Sequence, residues 1–148
     1  EQLARIRELS EIGEAEGAHK WQPACELPER GYWFPPTVFT DVSPAHRIAR
    51  DEIFGPVLSV LTFRTPDEAV AKANNTTYGL AAAVWTRDIA KAHYLANRIR
   101  AGTVWVNCYD VFDAGAPFGG YKMSGIGREL GQYALQLYTE VKTVTMAM

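Results

Sequence analysis

Residues 56–108 read "PVLSVLTFRTPDEAVAKANNTTYGLAAAVWTRDIAKAHYLANRIRAGTVWVNC", and their periodicity decides the fold class. The apolar run "PVLSVLTF" (56–63) follows a Gly-Pro pair and has the length of a buried strand. "TPDEAVAKANN" (65–75) predicts a helix. Thr65 supplies a capping oxygen, Pro66 occupies the first position, where a missing N–H costs nothing, and acids in the first turn complement the helix dipole. "LAAAVWT" (80–86) is a second strand. "RDIAKAHYLANRIRAG" (87–102) is a second helix, with Asp88 near its start, Arg98 and Arg100 near its end, and Gly102 closing it. "TVWVNCYD" (103–110) is a third strand. Strand, helix, strand, helix, strand is the alternation of an α/β unit with a mainly parallel sheet, because parallel neighbours need a crossover between them.

Moving outward, Leu3, Ile6, Leu9 and Ile12 recur every three residues in "EQLARIRELSEIGEAEGA" and predict an amphipathic helix closing near Gly13 to Gly17. The connector "HKWQPACELPERGYWFPPTVF" carries Pro23, Pro28, Pro35 and Pro36, which exclude helix and leave extended or edge-strand segments. Beyond the third strand, "AGAPFGGYKMSGIG" (114–127) holds five glycines, the mark of a loop with unusual dihedrals or a close backbone approach. A short helix, "RELGQYALQLY", leads to "TEVKTVTMAM", whose β-branched alternation predicts a last strand. No repeat or low-complexity segment is present.

The 148 residues are 47% hydrophobic and 22% charged, enough for an ordinary domain core and unlike a disordered or fibrous chain. A net charge of −2 argues against nucleic acid or an anionic membrane as the main partner, and no apolar run is long enough to span a bilayer. The chain therefore reads as soluble. Cys25 and Cys108 lack metal-ligand spacing, so the expectation is no structural metal and a reducing compartment. Glu1 already lies inside a helical pattern, as in a piece of a longer protein.

"EIFGPV" (52–57), "ANNTTYGLAAAVWT" (73–86), "AGTVWVNCYD" (101–110), "PFGGYKMSGIGREL" (117–130) and "YTEVKTVT" (138–145) occur in the order and at the separations seen in the aldehyde dehydrogenase superfamily. The chain resembles the last third of such an enzyme, nearest the branch with the acetaldehyde and retinal enzymes. The resemblance implies the C-terminal part of the catalytic domain over residues 1–138 and an oligomerisation strand over 139–148. It also implies NAD or NADP as cofactor, an aldehyde substrate, self-assembly into a dimer or tetramer through the terminal strand, and a cytoplasmic location, an organelle matrix being equally compatible. In that family a cysteine attacks the aldehyde, hydride passes to nicotinamide, and a glutamate-activated water releases the acid. The motifs of the nucleophile and of the base lie upstream of this segment, so no catalytic residue is expected within it.

Residue by residue, Glu52 matches the carboxylate that binds the nicotinamide ribose, a task suited to two acceptor oxygens at a turn, and Phe54 matches the ring packed near the nicotinamide. Glu1, Gln2 and Arg5 fall in a stretch that reaches the same end of the cofactor. Asp110, Phe112 and Phe118 match the mouth of the substrate tunnel. Arg128 is expected to pair with an acid, Glu129 or, preferably, Glu140, linking the last helix to the assembly strand. The physical alternatives are solvated charges at Glu52, Gln2, Arg5 and Arg128, and core plugs at Phe54 and Phe118. Asn107 and Cys108 read as structural, Cys108 as buried and inert. Rival readings of the whole are a non-catalytic interaction module built on the terminal strand, and a thiol enzyme using Cys108.

Overall fold

The apolar stripe at the start of the chain folds as helix α1, Gln2–Ala15, and turns Ile6 and Leu9 into a core completed by Ala18, Phe39, Val42, Ile48 and Ile53. Phe39 is fully buried at its centre. The computed structural model describes all residues 1–148. It divides into two compact units, Glu1–Asn75 and Thr76–Met148.

In the first unit, β1 (His19–Trp21) pairs antiparallel with β2 (Thr37–Thr40), which pairs in parallel with β3 (Val57–Ser59). The prolines between β1 and β2 carry no ladder bonds, as a residue without an N–H requires. Buried Thr37 has its hydroxyl satisfied twice: it accepts from Gln22 and donates to the Pro35 carbonyl. A short helix α2, Arg47–Arg50, lies close to α1, and Gly13 permits this, since a Cβ there would stand 2.8 Å from the Ile48 Cδ1. Helix α3, Pro66–Asn74, begins as its sequence requires, with the Thr65 hydroxyl accepting the Glu68 N–H.

The second unit holds the parallel pair β4 (Ala81–Val84) and β5 (Thr103–Val106), joined by helix α4, Ile89–Arg98. Asp88 caps α4 by accepting the Lys91 N–H. A 3-10 turn at Lys122–Ser124 and the short helix α5, Gly131–Leu135, follow.

The α/β class stands, and two of the three strand pairings are parallel. Three local expectations need correction. The predicted strands do not share one ladder, because β3 bonds to β2 while β4 and β5 form a separate sheet. Nor is β3 buried on both sides: Val57 packs on the core, but Leu58, pointing oppositely, is 59% exposed, as period-two geometry demands of a sheet covered on one face. Helix α4 ends at Arg98 rather than Gly102, since Ile99 is already extended and the Gly102 N–H is needed by the Gly79 carbonyl, at 3.0 Å. Residues 139–148 form neither helix nor strand within the chain and are exposed throughout.

Candidate functional sites: a pinned acidic turn and an aromatic loop

In the first unit, the turn from Asp51 to Pro56 is tied down by Arg47, by the core and by helix α1. Asp51 accepts two bonds from the Arg47 guanidinium, at 3.0 and 2.7 Å, and this pairing raises the Arg47 pKa above its ordinary value. Ile53 is buried in the core. The Gln2 carboxamide donates to the carbonyls of both Ile53 and Phe54, at 3.0 and 2.9 Å, and Arg5 donates to the Glu52 carbonyl at 3.4 Å. Gly55 lies so close to α1 that a Cβ would meet the Ile6 Cδ1 at 2.6 Å.

The result of this bracing is what it leaves unengaged. The Glu52 carboxylate makes no hydrogen bond or ion pair, and Phe54, held at φ 57° in the left-handed region, presents a ring that is 75% exposed. A non-glycine residue at that dihedral persists only where its surroundings over-determine it. A free pair of acceptor oxygens and an exposed aromatic face, two residues apart on a rigid turn, are groups that a polyhydroxylated ligand bearing a flat ring can use.

The structure thus gathers Gln2, Arg5, Glu52 and Phe54 in one place, while dividing their tasks. Gln2 and Arg5 engage backbone oxygens of the turn. Glu1 is exposed and contributes its carbonyl, which accepts the Arg5 N–H at 3.1 Å. The Arg47–Asp51 pair was missed from sequence, although its i, i+4 spacing is a readable signal.

In the second unit, β5 runs into a loop whose rings stack edge to face. Trp105, 8% exposed, meets Tyr109 at 5.3 Å and Phe112 at 5.6 Å, and Phe112 meets Phe118 at 5.0 Å. Phe112 is half exposed, and Phe118 is half-buried rather than a core plug. Asp110 is exposed at φ 58°. Phe112 and Phe118 are therefore brought into contact, with Asp110 on the loop leading to them.

Asn107 is structural in a definable way: its amide pairs with both backbone groups of Thr86, each at 2.9 Å, as a strand neighbour would. Cys108 is half-buried rather than buried, and Cys25 is exposed. Trp105 went unnoticed in the sequence. A tryptophan inside a strand pattern is a signal, because a buried indole N–H must find an acceptor.

The glycine-rich loop closes on the chain's own backbone. A Cβ on Gly102 would lie 1.6 Å from the Gly119 carbonyl oxygen, and the Gly79 carbonyl accepts from both Gly102 and Tyr121. Lys122 donates to the Thr76 carbonyl at 2.9 Å. Here the close approach foreseen for the glycines is to strand and loop backbone. Gly119, Gly120, Phe118 and Arg128 also line a cleft of about 220 Å³ with Leu80 and Leu137.

Arg128 departs from expectation. Its Nη1 donates to the carbonyls of Gly120 and Gly127, at 3.0 and 2.6 Å, and its guanidinium lies 5.2 Å from the Tyr121 ring centre. It forms no ion pair with Glu140 or Glu129 within the chain. Helix α5 starts three residues later, so the dipole argument for a nearby acid loses its basis, and two neutral carbonyl oxygens accept from the guanidinium instead.

The Aldehyde dehydrogenase family model matches residues 1–144. "Aldehyde dehydrogenase, mitochondrial" of Homo sapiens is 57% identical over 145 residues, covering 98% of this chain and 28% of that protein. Aldehyde dehydrogenase 1A1 of Gallus gallus is 56% identical, covering 99% and 29%. Among solved structures, the NAD+ complex of aldehyde dehydrogenase from Bacillus cereus superposes with a TM-score of 0.91 at 52% identity, over 97% of this chain and 29% of its own. An indole-3-acetaldehyde dehydrogenase of P. syringae, in complex with NAD+ and IAA, gives 0.90 at 48%, over 95% and 29%. The chain spans a little over a quarter of each of these proteins. With a family match across nearly every residue and a backbone that superposes at this level, the chain belongs to the aldehyde dehydrogenase family.

Proposed function

We propose that the chain is the C-terminal segment of an NAD-dependent aldehyde dehydrogenase that oxidises an aldehyde to a carboxylic acid, with its nucleophile and general base outside these residues. The observation that carries this reading is the unengaged Glu52 carboxylate beside the exposed Phe54 ring, on a turn held by Gln2 and Arg5. These residues fit the cofactor. Glu52 has two free acceptors for the vicinal hydroxyls of the nicotinamide ribose, and Phe54 offers an apolar face to a flat ring. When bound, nicotinamide supplies the hydride acceptor. The chain's own task is to fix the ribose and so the position at which that acceptor stands.

NAD is preferred because the similar structures are NAD+ complexes, and NADP would serve the same ribose contact. Phe112 and Phe118 line the mouth for an apolar aldehyde tail, with Asp110 at its rim. Residues 139–148 join an edge strand of a second copy, building a dimer or tetramer. Their exposed Val141, Val144 and Met146 and unbonded backbone support this assignment. A cytoplasmic or matrix location suits the reading, and the human relative is named as mitochondrial.

The test is Glu52→Gln in the complete enzyme. Loss of a charge-assisted bond should weaken NAD-dependent kcat/KM by about ten- to a hundredfold while the denaturation midpoint stays unchanged. Wild-type kinetics and cofactor affinity in that variant would remove the ribose assignment.

A further inference from the structure

Between β5 and Phe118 the chain makes a turn with two non-glycine residues in the left-handed region, Asn107 at φ 54° and Asp110 at φ 58°. Such a turn holds one shape only when further bonds impose it. Two side chains do so. Asn107 is fastened to the backbone of Thr86, and the Trp105 indole N–H reaches across the turn to the Val111 carbonyl at 2.8 Å. Val111 is itself exposed, and its carbonyl could otherwise face water, so the indole bond selects one arrangement among several open to the loop.

What that arrangement sets is the adjacent ring. Phe112 meets Trp105 nearly at right angles, 88°, and meets Phe118 at 81°. Phe118 is fixed in turn by reciprocal main-chain bonds with Glu129, each 2.7 Å. Phe112 thus stands between a buried indole and a pinned phenyl, directly after the turn that Trp105 bridges.

We propose that Trp105 is a specificity-determining positioning residue: through its N–H bond to the Val111 carbonyl it sets the angle at which Phe112 faces the tail of the aldehyde. Trp105 is buried and touches no substrate; it acts through Phe112. The proposal rests on reading Phe112 and Phe118 as the substrate mouth.

The experiment compares kcat/KM for short and long straight-chain aldehydes in the complete enzyme carrying Trp105→Phe, Phe112→Ala or both. A parallel variant replaces Trp105 site-specifically with benzothienylalanine, which keeps the indole's shape but has sulfur in place of the N–H, so a folding defect in Trp105→Phe cannot mask the result. Both Trp105 replacements should shift the long-to-short ratio about three- to tenfold, through KM more than kcat, with NADH affinity unchanged. In the Phe112→Ala background that shift should vanish. If Phe112→Ala alters the ratio and loss of the indole donor does not, the proposal is overturned and the mouth stands. A Trp105 effect undiminished without the Phe112 ring also overturns it. If Phe112→Ala leaves the ratio unchanged, the mouth reading fails and the proposal falls with it.

Discussion

Gln2→Ala removes two of the bonds that hold the acidic turn and leaves the side chains of Glu52 and Phe54 in place. The Ile53 carbonyl is partly buried and the Phe54 carbonyl is exposed. An exposed acceptor regains water on losing its partner, so its bond counts for about 0.5 kcal/mol, whereas the more sheltered one counts for about 1 kcal/mol. The turn also carries the cost of Phe54 at φ 57°, on the order of 1 kcal/mol, which favours other conformers once the carboxamide is gone. A loss of about 1.5 kcal/mol in the turn's own equilibrium reduces the binding-competent fraction by at most about tenfold, and the apparent Kd rises by the same factor. NADH fluorescence titration of the complete enzyme should show this weakening, with a global denaturation midpoint close to wild type. Gln2→Glu should be at least as damaging, because it sets a carboxylate against two carbonyls. A Kd within about twofold of wild type in both variants would refute the claim that Gln2 organises the site.

Gly102→Ala should be among the most destabilising of small substitutions, about 3 kcal/mol in urea denaturation, because its Cβ would meet backbone at 1.6 Å on a loop that cannot retreat; an unshifted midpoint would show that the glycine loop is not closed on this strand. For acid stability, the Lys91 N–H donated to Asp88 holds the Asp88 carboxyl below its usual pKa. A depressed folded-state pKa contributes stability above the unfolded value of about 3.9, and that contribution fades as pH falls through the folded one. The advantage of wild type over Asp88→Ala should therefore be steady from neutral pH to about pH 5 and shrink below about pH 4; an advantage independent of pH would mean the carboxylate is not the cap.

Much of the local structure was legible because its causes are local. Thr65, Pro66 and the acids after them start α3, and Asp88 starts α4, as capping chemistry requires. The ends and partners of elements were less legible because their causes lie far along the chain. Nothing between Asp88 and Gly102 announces that α4 stops at Arg98; the reason is the Gly79 carbonyl and the Gly119 backbone. Likewise the strand pattern at 56–63 does not say that β3 bonds to β2 alone or that Leu58 faces outward. The motifs pointed to the loops that carry Glu52, Phe54, Phe112 and Phe118, while the supports of those loops were invisible, since a bond to a backbone carbonyl leaves no mark in residue type.

This last point bears on how site residues are assigned. Gln2, Arg5, Asn107 and Arg128 are polar residues beside candidate sites, and each could be taken for a ligand contact. In the structure every one of them donates to main-chain oxygen: Gln2 to Ile53 and Phe54, Arg5 to Glu52, Asn107 to Thr86, Arg128 to Gly120 and Gly127. An N–H already engaged can meet a ligand only by giving up its bond, so the net gain through that N–H is small. Glu52 has no such engagement, and its two oxygens can be turned wholly to a ligand at no such cost. What each side chain already touches therefore separates the groups that hold the turn from the one left open, and this is why Glu52 rather than its polar neighbours carries the proposed ribose contact.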